Sequence, residues 1–347
     1  MKSNVYIFNL NLDWELIKLI SQIDRFDAAW TAIERREQQG LKELKSIATV
    51  RSVGASTRIE GSKLSDEEVD VLLRNIDISK LEDRDTQEVV GYFEALDIIS
   101  EQFEEIKITE SDIKNLHNIL MKYSAKDEWH KGNYKQHSNA VEARYTDGTR
   151  QILFQTTEPG VETETAMRLL VNWYNNEHAI HPLVKCAVFT YEFLSIHPFQ
   201  DGNGRLSRLL SSLLLLKSGY KWIQYISFEH EIESRKHAYY QVLRSCQTLR
   251  PNIDISTWVN FFFDALKNIQ ELLERKLLIY ETETDQLLPR EKLVVSFIQN
   301  HPGCKSGQIS KGLGFSRMIV IRLLSSLLEK KLIEKHGTGS GTQYTIM

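Results

Sequence analysis

The sequence predicts a mainly α protein with one β-hairpin among its helices and a small, separate module at its C-terminal end. Three observations carry that reading. Apolar residues recur at three- and four-residue spacing along most of the 347 positions, the period of an amphipathic helix. Alternating runs on both sides of an Asp-Gly pair stand at residues 139–155, a strong hairpin signal. Charge is uneven, with nine Lys/Arg against three Asp/Glu from Leu287 onward, net +6, and net -10 before it. A chain this long exceeds one ordinary core. With 26% charged and 41% hydrophobic residues, it is composed like a globular protein rather than a disordered or fibrous one.

Taken in order, helices are expected over residues 13–23, 26–39 and 41–59, with Gly40 as punctuation. Ser65-Asp66-Glu67-Glu68 is a capping box opening a helix at 69–74, and further helices span 86–103 and 111–123. VEARY and RQILFQ then flank Thr146-Asp147-Gly148-Thr149 as the hairpin. Its free edge offers unpaired backbone groups to an extended peptide. Helices resume at 161–176, 183–195, 204–217, 231–247 and 255–284. The Leu run 213–216 ends at Lys217 and Gly219, which makes it a buried helix rather than a membrane span, so no membrane partner is expected. The first residues lack an uninterrupted apolar stretch, and Cys186, Cys246 and Cys304 form no CxxC. Reduced thiols in a cytoplasmic protein are the expectation.

The densest chemistry lies at 196–209, IHPFQDGNGRLSRL. His197 can exchange a proton near neutral pH and is a candidate general base. Asp201 is a hard oxygen ligand suited to Mg2+ partly neutralised by phosphate. Gly202-Asn203-Gly204 lets backbone N–H groups approach an anion closely. The helix opening there adds its dipole, and Arg205 and Arg208, at i and i+3, can face one phosphate chain. A base, a metal ligand, an anion cradle and two cations thus fall within twelve residues. Far upstream, Ser56-Thr57-Arg58-Ile59-Glu60-Gly61 reads SxxxEG, with Ser56 and Glu60 one helical turn apart and Gly61 as a stop.

The 196–209 segment resembles the signature of the Fic (filamentation induced by cAMP) domain family at every motif position. That resemblance implies transfer of AMP from ATP to a Ser, Thr or Tyr hydroxyl of a protein, with release of pyrophosphate. By position, His197 would deprotonate the hydroxyl, Asp201 would hold Mg2+, and Phe199 would anchor the loop. Gly202, Asn203 and Gly204 would bind the α- and β-phosphates, and Arg205 and Arg208 the β- and γ-phosphates. Leu206 and Ser207 fall within the same nucleotide-binding stretch. Relatives that act as kinases carry Lys where this chain has Gly204, which favours nucleotidyl transfer. SxxxEG is similar to the family's inhibitory motif, so Ser56, Glu60 and Gly61 would form it, with Glu60 pairing with Arg208. The hairpin at 139–155 would be a flap docking the target protein, and Tyr239 and Tyr240 would lie near the adenosine.

The tail reads as helices at 289–300, 306–311 and 316–330 around a Gly312-Leu313-Gly314 turn, then two short strands with a Gly-rich tip. It resembles a winged-helix module, whose second turn-pair helix commonly enters a DNA major groove. Arg317 and Arg322 lie on that helix, and Lys330, Lys331 and Lys335 lead into the wing. Such modules also dock proteins, so DNA and protein partners both remain open, as does a homodimer.

The expected organisation is therefore an N-terminal helical segment with the inhibitory motif (1–95), a Fic-type helical core with a β-hairpin flap (96–285) and a C-terminal winged-helix domain (286–347). Two alternatives to adenylylation stand beside it. One is transfer of another nucleoside monophosphate. The other is a DNA-binding regulator whose core only senses nucleotide.

Overall fold

In a computed structural model, residues 8–36, 38–81, 83–144, 150–248, 254–283 and 287–346 are described. They are mainly helical with small antiparallel hairpins. Two compact units emerge, residues 1–271 and 272–347.

The first unit begins with α1 (Trp14–Arg36) and α2 (Gln38–Ile59). The break expected near residue 24 is absent, because Ile23, Phe26 and Trp30 continue one buried stripe. Gly40 does not punctuate either. It lies inside α2, followed by the buried Leu41 and Leu44, whose packing outweighs the roughly 1 kcal/mol that glycine costs a helix. After Gly61, α3 (Asp66–Arg74) opens on the expected capping box: Ser65 Oγ accepts the Glu68 N–H, and the Glu68 carboxylate accepts the Ser65 N–H. Next come α4 (Arg84–Gln102), capped by Asp83, and α5 (Glu110–Leu120), capped by Thr109.

Strands β1 (Ala140–Arg144) and β2 (Arg150–Gln155) pair antiparallel with a bulge between Val141 and Glu142. The Thr146-Asp147-Gly148-Thr149 turn falls outside the described residues. Then α6 (Val161–Asn176) leads to α7 (Pro182–Ile196) and α8 (Asn203–Lys217). These last two form the centre of the unit, with Phe189, Phe193, Leu206, Leu210 and Leu214 at 0% exposure. Each such side chain contributes about 1.5–3 kcal/mol by leaving water. Helices α2, α4 and α5 pack on α8, and α6 packs on α7.

One expected helix over 231–247 is two: α9 (Phe228–Ser234), capped by Ser227, and α10 (Lys236–Gln247). Arg235 leaves the helical region at φ -113° and ψ 23°. Its guanidinium is drawn onto Asp264 at 2.8 Å and over the Phe261 ring at 4.6 Å. Both residues lie on α11 (Ser256–Glu283).

The second unit holds α12 (Pro289–Asn300), α13 (Ser306–Leu313), α14 (Arg317–Glu329) and the hairpin β3 (Ile333–His336) with β4 (Gln343–Ile346). Val294, Ile298, Ile309, Val320, Leu324, Leu327 and Ile333 make its core. Gly314 ends α13 in the left-handed region at φ 66°, and Ser316 caps α14.

Among the described residues no helix is long and apolar enough to cross a membrane. All three cysteines are free and buried.

Candidate active site

The 196–209 loop is shaped by its two flanking helices. Pro198 cannot donate to a helical carbonyl and disfavours helical geometry at the residue before it, so α7 stops at Ile196. His197 turns into the left-handed region, φ 52° and ψ 58°, with its N–H still donating to Phe193 O. The chain then re-enters helix at Gly202, φ 78°, where a Cβ would lie 3.1 Å from Met121 Sδ. The first-turn N–H groups of α8, beyond reach of any helical carbonyl, converge here.

Phe199 pins the loop from below. Its ring is fully buried and stacks on His117 at 3.9 Å and 9°. His117, which the sequence reading passed over, also fixes the metal-ligand candidate. Its Nδ1 accepts the Gly132 N–H at 2.9 Å, so Nε2 carries the proton and donates to Asp201 O at 3.0 Å. Burial lowers its pKa to about 4.

His197 is half-buried, and its Nδ1 lies 3.3 Å from Leu194 O. A carbonyl oxygen only accepts, so Nδ1 bears the hydrogen and Nε2 presents its lone pair. Burial pushes its pKa down to about 4, so the ring is neutral at pH 7 and free to take a proton. At the Asp201 carboxyl, burial favours protonation. The charge of Arg205, the N–H of Gly202 at 2.6 Å and Arg84 outweigh it and hold the pKa below the usual range.

The two arginines have different partners within the protein. Arg205 is 1% exposed, with Glu88 at 3.2 Å and Asp201 at 3.5 Å. Arg208 donates from Nε to Ser56 Oγ at 2.8 Å, and from Nη2 to Ser56 O at 3.0 Å and Glu60 Oε1 at 2.8 Å. Ser56 and Glu60, one turn apart at the end of α2, thus grip one guanidinium. Burial opposes the charge of Arg208, but Glu60 more than compensates and holds its pKa above normal. The same pairing holds the Glu60 carboxyl low against burial. Gly204 makes room for this contact, since a Cβ there would fall 2.2 Å from Glu60 Oε1. Gly61 turns the chain away at φ 109°.

Several residues of the expected nucleotide-binding stretch also have partners within the protein. Asn203 spends its side chain on Phe199, Leu206 is in the core, and Ser207 Oγ donates back to Gly204 O at 2.7 Å. Tyr239 is buried against Trp258 and Phe261. Burial raises its hydroxyl to about 12, while Arg208 beside it works the other way. Tyr240 is half-buried and lines an open depression with Lys236, His237, Gln241 and Arg244.

The base of the β1–β2 hairpin is fastened to the loop by residues without a sequence signal. Buried Lys135 donates to Asn139 Oδ1 at 2.9 Å, Thr156 Oγ1 at 2.8 Å and Ile196 O at 3.2 Å. Asn139 Nδ2 donates to Phe199 O at 2.9 Å. Burial lowers the Lys135 ammonium to about 8.

The Fic/DOC family model matches residues 107–215. The chain is 26% identical over 261 residues to the protein adenylyltransferase Fic of Drosophila virilis, covering 74% of this chain and 48% of that protein. It thus spans about half the length of the curated relatives it matches. A Fic family protein of Desulfovibrio desulfuricans superposes with a TM-score of 0.64 at 22% identity, covering 99% of this chain and 98% of that one. A Fic domain-containing signaling protein of Bacteroides thetaiotaomicron gives 0.59 at 24%, over 74% and 96%. The signature loop thus lies inside the segment that matches the Fic/DOC family model, and the fold around it is shared with the solved Fic family structures.

Proposed function

We propose that this chain transfers AMP from ATP to a Ser, Thr or Tyr hydroxyl of a protein and that Glu60 restrains the reaction. The observation that carries the reading is Glu60 on Arg208 at 2.8 Å, above Gly204. A carboxylate there occupies the arginine that the resemblance assigns to the phosphates, in the same site as a neutral base. The target hydroxyl attacks the α-phosphorus, its proton passes to His197 Nε2, and the bond from the α-phosphorus to its bridging oxygen breaks, releasing pyrophosphate. N–H groups of the α8 first turn and Arg208 hold the phosphates. Arg205, itself buried, orients Asp201. Asp201 suits Mg2+: it is ionised, 38% exposed, and its Oδ2 lies 3.8 Å from Arg84, too far for a hydrogen bond. Bound Mg2+ would neutralise phosphate charge. The hairpin, tied to the loop through Lys135 and Asn139, would present the target segment as an added strand.

The test is transfer of label from α-labelled ATP to proteins of a lysate. Parent protein should label weakly, Glu60→Gly strongly, and Glu60→Gly/His197→Asn not at all. Labelling by Glu60→Gly at or below the parent level would overturn the restraint, and labelling that survives loss of His197 would overturn the chemistry. Competition by UTP and GTP separates AMP transfer from transfer of another nucleoside monophosphate.

The exposed face of α14 favours a second role for the tail as a winged-helix module that binds duplex DNA. Arg317, Met318, Ile321, Arg322 and Ser325 point outward, and the helix carries no acidic residue before Glu329. Anisotropy with a fluorescent duplex should show binding that weakens steeply with salt and is lost in Arg317→Ala/Arg322→Ala. Absence of binding at low salt would remove this role and leave protein docking.

A further inference from the structure

The contact of Glu60 with Arg208 is one side of a double grip on the end of α2. On the other side, Arg58 makes a bidentate pair with Glu233 of α9, Nε to Oε1 at 2.7 Å and Nη2 to Oε2 at 3.0 Å. The same guanidinium reaches Asp66 at 2.9 Å and donates from Nη1 to Leu64 O at 3.0 Å. Lys236, at the start of α10, donates to Ile59 O at 2.6 Å and so caps the helix that delivers Glu60. Arg58 and Glu233 are only 21% and 23% exposed, which limits screening of the pair. Burial favours a protonated Glu233, but His230 and Arg58 prevail and lower its pKa to about 2, so the pair stays charged at neutral pH.

These contacts constrain how Glu60 can leave. Its backbone cannot retreat from Arg208 as part of α2 without also breaking the two bonds to Glu233 and the one from Lys236. We infer that Arg58 and Glu233 are positioning residues for the inhibitory glutamate: their pair latches the 58–64 segment against α9 and sets how much of the time Glu60 occupies Arg208. Neither residue touches the phosphates or the reacting hydroxyl, so neither is catalytic. The inference rests on the proposed restraint by Glu60 and specifies what holds it. A population tied by charge-assisted bonds shifts when they are removed.

The experiment pairs labelling with hydrogen exchange on the full chain. Glu233→Gln, which preserves shape and removes the charge, should speed exchange at the amides of residues 58–64 and raise labelling roughly five- to tenfold over the parent. Arg58→Lys, which keeps charge and loses the fork, should fall between. In a Glu60→Gly background, Glu233→Gln should leave labelling unchanged, because the residue it positions is gone. Unaltered exchange in both latch variants overturns the latch whatever the activity. So does a gain in labelling that is equal with and without Glu60. Faster exchange in the latch variants with no labelling from Glu60→Gly would leave the latch standing and refute the proposed transfer reaction instead.

Discussion

Asn203 and Phe199 exchange two hydrogen bonds across the signature loop. Asn203 Oδ1 accepts the Phe199 N–H at 2.9 Å, and its Nδ2 donates to Phe199 O at 2.7 Å. The side chain thus replaces a missing turn of backbone pairing between the two helices that meet at the site.

Replacing Asn203 with Ala should therefore act on stability first. Phe199 O keeps its bond from Asn139, but the buried Phe199 N–H is orphaned. The expected cost is about 1–3 kcal/mol, measured by chemical denaturation. A change within error of zero would show that the clamp is redundant.

Gly204→Ala should couple to Glu60. The new Cβ collides with Glu60 Oε1 at 2.2 Å, so the substitution should destabilise the parent by about 1–3 kcal/mol and a Glu60→Gly protein by distinctly less. Thermal unfolding of the four combinations tests this. Equal losses in both backgrounds would mean that the strain arises elsewhere.

Stability should fall below neutral pH because of His117. Its pKa is lowered to about 4 from 6.5, so the unfolded chain takes up a proton that the folded protein refuses. The contribution is complete above pH 6.5 and is lost as pH falls toward about 4, amounting to about 3 kcal/mol. Protonation would place a hydrogen on Nδ1 against the Gly132 N–H. A His117→Phe protein should lose stability less steeply between pH 6.5 and 4. An identical slope would assign the acid sensitivity to other groups.

In the second unit, Gly312→Ala should loosen the contact of α13 with α12, since a Cβ would sit 2.2 Å from Phe297 Cε2. The expected loss is about 1–3 kcal/mol for that unit, followed by Phe297-sensitive near-UV circular dichroism. Phe297→Leu should restore part of it, and failure to do so would place the strain in the backbone.

The site was legible where its chemistry is consecutive. His197 through Arg208 fit one loop and one helix start, and Ser56 and Glu60 share a face because helical spacing puts them there. What escaped was whatever depends on distant pairing. His117 reaches Asp201 from 84 positions away, and Lys135 reaches Ile196 from 61. Neither sits in a local pattern. Arg205 shows the same limit: its motif position suggested phosphate, while its ion pair with Glu88 on α4 is a distant pairing that no local pattern announces. Helix limits were clear where caps mark them, as at Ser65, and obscure at Arg235, where an ionic and ring contact from α11 breaks the helix without Gly or Pro.

The left-handed backbone of His197 bears on how any loss of activity at that position is to be attributed. Of the residues with side chains, His and Asn tolerate φ near 52° better than most, and Ala does not share that preference. An alanine at 197 removes the imidazole and also sets conformational strain against the turn between α7 and α8. Asn removes the base while keeping the backbone at ease. A difference in folding between His197→Ala and His197→Asn would measure the cost of the turn, and only the loss they share would measure the proton transfer.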